Sequence, residues 1–373
     1  MSKLKVAWAG QCLGVGGADA YMLSIIKYAE NLEFTGIAVE NEPSRAQLEW
    51  ATKQVGGIVP FYIKTAGRTH IEQAAEGADI LITWSTNHIP KLGIPVVELA
   101  QNSDDHTKHI CDLNNPDYRV GCSVHTANTI FGDQTDAVIF NAVDPARCTP
   151  RWDRTFQRNM WGFDDSDTVI LFAGRLVDEK APMLPLYGLQ HLPDNYKLLY
   201  AGEGYRGEDL VRTARELHLH ERVYLAEHTY HIGDLFNACD IFTLPSDFEG
   251  LPLAVLEAWL SGIPTITSDM PSMLELQTQY GDLSKYVKRR CSPEDFAQAA
   301  LDIDDDPDIR GRATRVVWEH FNAPRIALHW EQFLHQAVTR WRQKRMQPSI
   351  QRLAPIKPME TSKAQVQLVK HHD

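Results

Sequence analysis

Short apolar runs alternate with stretches of helical period along most of the chain, and that alternation restricts its fold more than any other feature. Residues 4–9, 34–39, 57–63, 79–84 and 94–99 read as strands, with helical patterns at 21–29, 46–54 and 71–76 between them. Later runs at 168–173, 197–201, 222–225, 239–245 and 265–268 repeat the rhythm. Strand and helix in turn, with short connections, predict parallel sheets covered by helices, whose ligands sit at the carboxyl ends of the strands. The exposed side chains to watch at those ends are Trp84, Ser85, His88, Gln101 and Asn102. At 373 residues the chain exceeds what one hydrophobic core usually serves, so two domains are expected.

The densest functional signal is the stretch from Asp247 to Ile266. An apolar strand ending in Pro245 and Ser246 feeds a loop holding Glu249. Pro252 suits a first helical turn, where no backbone N–H is missed, and Gly262 with Pro264 supplies the stop. Glu257 then lies about a turn and a half inside the helix, and helical side chains lean toward the N-terminus. Two carboxylates beside a helix start, whose free N–H groups attract anions, suit a ligand carrying both a diphosphate and sugar hydroxyls. The plain alternative is a loop glutamate and a glutamate paired with a basic neighbour.

Two further strand ends carry chemistry. Residues 10–19 form a glycine-rich turn before the first helix, able to bring N–H groups close to a phosphate, although Gly14, Gly16 and Gly17 lack the dinucleotide spacing. Residues 168–173 deliver Gly174 to a turn with Arg175 and Lys180 five residues apart. An arginine fork and a lysine point charge can neutralise a diphosphate leaving group, or pair with Asp178 and Glu179.

Together these motifs resemble the retaining GT-B glycosyltransferases of family four. The resemblance rests on Leu244-Pro-Ser-Asp-Phe-Glu-Gly250, Leu256-Glu-Ala258 and Ser261-Gly-Ile-Pro264, a Glu followed seven residues later by a second. It implies that Glu249 contacts the donor sugar and Glu257 the nucleotide ribose, and that Gly250 and Leu251 open the donor-binding helix. It implies a diphosphate site at Gly174, Arg175 and Lys180, and a loop at Gly16 and Gly17 facing donor phosphates and acceptor, with Asp19 in place of the usual Glu. Asn141-Ala-Val-Asp144 matches the turn that ends the family's first domain, and Gly202-Glu-Gly204 a small turn near the nucleotide, with residues 226–228 beside the base.

The chain also departs from the pattern. Many relatives carry a His directly after the strand at 94–99, where this one reads Ala100-Gln-Asn-Ser-Asp-Asp-His106. His106 can loop back into the site, His109 or His125 can substitute, or the role is absent. Ala181-Pro182 stand where a Gly is common, and Met270-Pro-Ser-Met-Leu-Glu275 replaces a Gly-Gly-x-x-Glu loop.

The formal charge of −12 argues against a general nucleic-acid grip. It is uneven: the first 150 residues hold 11 Lys and Arg against 17 Asp and Glu, while residues 340–373 hold 8 against 2. Six scattered cysteines lack metal or disulfide spacing and read as reduced thiols. No apolar run reaches a membrane span, and the first five residues lead into a strand instead of a signal peptide, so a cytoplasmic protein is expected.

These readings converge on an α/β GT-B fold, two Rossmann-like domains facing an interdomain cleft. The expected divisions are 1–155 for the acceptor domain and 156–324 for the donor domain. A helix at 325–346 would cross back, followed by a basic tail at 347–373. The implied reaction moves a sugar from a nucleotide-diphosphate sugar to an unidentified hydroxyl with retention. No metal or cofactor is expected, and no obligatory protein partner. Glu249, Arg175, Lys180 and His106 are the catalytic candidates. The acceptor could be a saccharide, small molecule, lipid or modified nucleic-acid base. The competing readings are a GT-B nucleotide-sugar epimerase and a non-catalytic nucleotide-sugar binding module.

Overall fold

The computed structural model describes residues 3–346 apart from 11–12, 14–15, 58, 64–68, 87, 227–230 and 304–306. Cys12, Gly14, the base-side positions 227–228 and the tail at 347–373 lie outside the described residues.

The first sheet has seven strands: β1 (Leu4–Gly10), β2 (Leu32–Val39), β3 (Phe61–Ile63), β4 (Ile80–Thr83), β5 (Val96–Ala100), β6 (Tyr118–Gly121) and β7 (Ala137–Val138). Its order is β3-β2-β1-β4-β5-β6-β7 and every pairing is parallel. The second sheet has six: β8 (Thr168–Ala173), β9 (Tyr196–Ala201), β10 (Val223–Ala226), β11 (Ile241–Leu244), β12 (Thr265–Ser268) and β13 (Lys285–Val287), in the order β10-β9-β8-β11-β12-β13, also all parallel. Parallel strands need both faces covered. Accordingly Val6 and Trp8 of β1 join one buried cluster and Ala7 and Ala9 another. In each sheet the order reverses direction beside the first strand, β1 or β8, which opens a crevice at the carboxyl ends.

The helices that bear on this crevice are α1 (Gly17–Tyr28), α2 (Asp105–Asn114), α3 (Val124–Ile130), α4 (Pro145–Cys148), α5 (Arg154–Trp161), α6 (Leu253–Leu260), α7 (Pro271–Tyr280) and α8 (Ala323–Met346). The last of these leaves the second sheet and returns to the first. Trp330 is fully buried against Trp8 and donates its indole N–H to the Tyr21 hydroxyl, while Glu331 accepts from both nitrogens of Asn31. Residues 147–163, a polar and weakly periodic stretch, contain the last two residues of α4 and all of α5; Asp153 caps α5 and Gly162 ends it in the left-handed region.

One stretch differs from the sequence reading. The sequence reading places His106 in a loop after the fifth strand, yet α2 begins at Asp105 and His106 stands in its first turn. The Asp104 carboxylate accepts the Thr107 N–H, and Thr107, Ile110 and Cys111 bury one face. An N-cap followed by that spacing is a helix start that charge-rich residues obscured.

Among the described residues no helix is long and apolar enough to cross a membrane. The described cysteines, Cys111, Cys122, Cys148, Cys239 and Cys291, are all free.

Candidate functional site

The site lies where the ends of the two sheets meet, and glycines set how closely they meet. A β-carbon on Gly250 would lie 2.1 Å from the Gln101 carbonyl oxygen just past β5, so only glycine fits there. At Gly17 a β-carbon would lie 3.2 Å from the Leu253 β-carbon, at the start of α6. Gly16 caps α1 without a side-chain bond, and Asp19 is buried in that helix's first turn. On the second sheet, Gly174 donates its N–H to the Ala201 carbonyl, which ties the β8 and β9 loops together. Gly202 at φ +145° packs against the Gly174 carbonyl, 2.0 Å from where its own β-carbon would be.

Each candidate cation already has a carboxylate. The Lys180 ammonium donates to Glu249 Oε1 at 2.5 Å, the same oxygen that accepts from the Ser246 hydroxyl at 2.8 Å, and both ionic side chains are largely buried, at 14% and 13% exposure. Arg175 pairs with Glu179 at 2.5 Å, one turn away, and is well exposed. Thus the sequence alternative of local pairing holds for Arg175, whereas Lys180 reaches across to the loop after β11. The Asp247 N–H donates to the Glu179 carbonyl at 2.8 Å, holding those loops in register.

Glu257 has a different partner. Its Oε1 accepts from Arg147 Nε of α4 at 2.9 Å, with only 6% and 8% of the two side chains exposed. Arg147 Nη1 is buried with no hydrogen-bond partner among the described residues. The helix that carries Glu257 is capped by Pro252 and followed by Gly262 at φ +73°, as its turn chemistry requires. Just before it, the Leu251 carbonyl accepts from Asn141 Nδ2 at 2.7 Å, and Asp144 takes bonds from Lys27 and Tyr28.

Of the three histidines, His106 and His109 are exposed on α2. His125 is half-buried at the start of α3, against the second sheet's side of the crevice. Its N–H and that of Val124 donate to the two oxygens of Glu275 on α7, at 2.8 and 3.1 Å. Burial holds the Glu275 carboxyl above its usual range, and burial with the nearby Arg289 charge holds the His125 imidazole below its own. Burial also pushes Glu98, in the middle of β5, up to about 7; its partners are Thr83 and Asn114, not a cation. Ala181 occupies a left-handed conformation, φ +51°, which explains why glycine suits that position and what the alanine costs there.

Sequence reasoning did not single out Arg147 or the contact of Gln101 with Gly250. Arg147 lies 110 positions from Glu257, and no local spacing announces such a partner. The Gln101 side-chain nitrogen, like the Trp84 indole nitrogen, is buried without a hydrogen-bond partner among the described residues. Among the described residues no group of three or more His, Cys, Asp or Glu could hold a metal ion.

Two parallel sheets meeting at a crevice define the GT-B glycosyltransferase fold. The chain overlays on Anabaena HepE solved with UDP and glucose at a TM-score of 0.76, covering 89% of this chain and 100% of that one at 17% identity. It also overlays on WaaG, a glycosyltransferase involved in lipopolysaccharide biosynthesis, at 0.67, covering 88% and 99% at 13% identity.

Residues 153–315 match the family model for glycosyl transferases group 1. Relatives include the O-antigen biosynthesis glycosyltransferase WclY of Escherichia coli, 31% identical over 144 residues, which are 38% of this chain and 40% of that protein. The D-inositol 3-phosphate glycosyltransferase of Mycolicibacterium gilvum is 31% identical over 137 residues, 35% of this chain and 31% of that protein. The matches thus span no more than about two fifths of these curated relatives.

Proposed function

We propose that the chain is a glycosyltransferase that moves a sugar from a nucleotide-diphosphate sugar to a hydroxyl acceptor, with retention and without a metal. The observation that carries this reading is the Lys180–Glu249 pair at the mouth of the crevice, inside the segment that matches the group 1 model. The pairing is self-neutralising. A diphosphate, with more negative charge than one carboxylate, would draw Lys180 and Arg175 to itself and leave Glu249 free to accept sugar hydroxyls. The N–H groups opening α6 would add a fixed positive end toward the same phosphates.

In this scheme the bond from the anomeric carbon to the diphosphate breaks while one to the acceptor oxygen forms on the same face. The acceptor proton passes to the leaving diphosphate. Preorganised charge at the departing oxygen is worth roughly 3 to 4 kcal/mol per well-placed donor. Glu257, with one oxygen held by Arg147, would present its other to the ribose. HepE has been solved with UDP-glucose, and a UDP sugar is the first donor to try. The acceptor class stays open among saccharide, small molecule, lipid and modified base.

The test is a thermal-shift panel of UDP, GDP, ADP and TDP sugars on the wild type and on Arg175→Ala. A ligand at a hundred times its dissociation constant stabilises by roughly 2.7 kcal/mol. Stabilisation by one donor that the variant loses supports the reading; no stabilisation by any, with a control ligand detected, counts against it. NMR of the product's anomeric coupling then tests retention, and turnover in excess chelator tests metal independence.

A further inference from the structure

A second cavity lies away from the crevice, between α2 and α3. Its volume is about 500 Å³, within the range that holds small ligands. Arg119, near the start of β6 and so toward the end of the sheet opposite the crevice, contributes to its lining, and Lys108 of α2 stands at its side. Asn115, Asn128, Gln134 and Asp112 bring amide and carboxylate groups to the same space.

Arg147, Arg158, Arg206, Arg222 and Arg312 are half-buried or buried, and each has its guanidinium on a carboxylate or on backbone carbonyls. Arg119, like Arg340, is half-buried, yet among the described residues neither guanidinium has a hydrogen bond or an ion pair, and the Lys108 ammonium has none either. The carboxylate of Asp136 lies near enough to feel the Arg119 charge but accepts the Arg119 backbone N–H instead, at 2.8 Å. A guanidinium without a carboxylate on it can hold an anion through two parallel bonds.

We propose that this cavity is a second ligand site, for a phosphorylated sugar or similar anionic polyol. Arg119 and Lys108 take the phosphate, while the three amides and Asp112 take hydroxyls. The proposal does not depend on what the crevice does.

Calorimetric titration of the full chain with glucose 6-phosphate tests it, with glucose and inorganic phosphate as comparison probes. The expected result is saturable binding of glucose 6-phosphate, tighter than either comparison probe. It should weaken at least about tenfold in Arg119→Gln and in Lys108→Gln, as loss of a charged hydrogen bond would cause, and stay unchanged in Arg175→Ala. Lys108 is exposed, so its variant keeps the fold, and an unchanged melting temperature verifies Arg119→Gln. The proposal is overturned by no saturable binding at millimolar concentrations, by glucose or inorganic phosphate binding as tightly, or by binding that survives both cavity variants.

Discussion

The two glutamates seven residues apart in the motif hold their cations in contrasting ways. Glu249 pairs with Lys180 inside the second half of the molecule, and a serine hydroxyl shares its oxygen. Glu257 pairs with Arg147, which comes from the short helix after Asn141-Ala-Val-Asp144 and is nearly dry. The former is a loop contact that an incoming anion can reorganise. The latter joins chain segments 110 positions apart and has little water with which to trade. Similar carboxylates in one motif therefore serve different ends, one poised and one fastened.

The largest expected effect breaks the fastened pair. Arg147→Ala leaves Glu257 as an uncompensated buried charge and should lower unfolding free energy by about 3 to 5 kcal/mol, measured by urea denaturation. Lys180→Ala should cost less than half as much, and equal losses would erase the contrast. Next comes the poised pair: Glu249→Gln should reduce the transfer rate by about 10² to 10³-fold with the donor found in the nucleotide screen, at nearly unchanged melting temperature. A stable variant with full activity would remove Glu249 from the reaction.

Glu98 sharpens the comparison because it is a buried carboxylate with no cation on it among the described residues. Its folded value, about 7, lies above the ordinary 4.5, so the folded state holds its proton more tightly than the unfolded chain does. The stabilising contribution is complete below pH 4.5 and fades as pH rises through 7, by as much as about 3 kcal/mol. Glu98→Gln should flatten that part of the stability curve and be the more stable protein at pH 8. A parallel curve for both proteins would mean that Glu98 titrates normally. The smallest effect concerns the turn that presents Lys180. Ala181→Gly relieves a left-handed alanine, less the entropy that glycine adds to the unfolded chain, for a gain of about 0.5 to 1 kcal/mol in chemical denaturation.

Much of the fold was legible because its signals are local. The run from Thr265 to Ser268 reads as a strand and is one, and Ser292 ahead of Pro293 is a local helix-start signal whose serine hydroxyl caps the helix. Helix α2 was missed because its apolar face, Thr107, Ile110 and Cys111, is thin among charged neighbours. At the site, the spacing of Glu249 and Glu257 was visible, but which cation each would hold was not. Arg147 reaches Glu257 only after two sheets have formed, and the fit of Gly250 against Gln101 depends on the same assembly. Partners created by folding leave no period in the sequence.

The pairing of Arg175 with Glu179 and of Lys180 with Glu249 has a kinetic consequence. Crevice cations already cancelled by neighbouring carboxylates cast little attractive field into solvent, and the chain around them carries a formal charge of −12. The proposed nucleotide-sugar donor would therefore approach against a weak repulsion and gain its charge contacts only after arrival. Capture would then accelerate as ionic strength rises, opposite to a steered encounter, and stopped-flow binding across a salt series would reveal the sign.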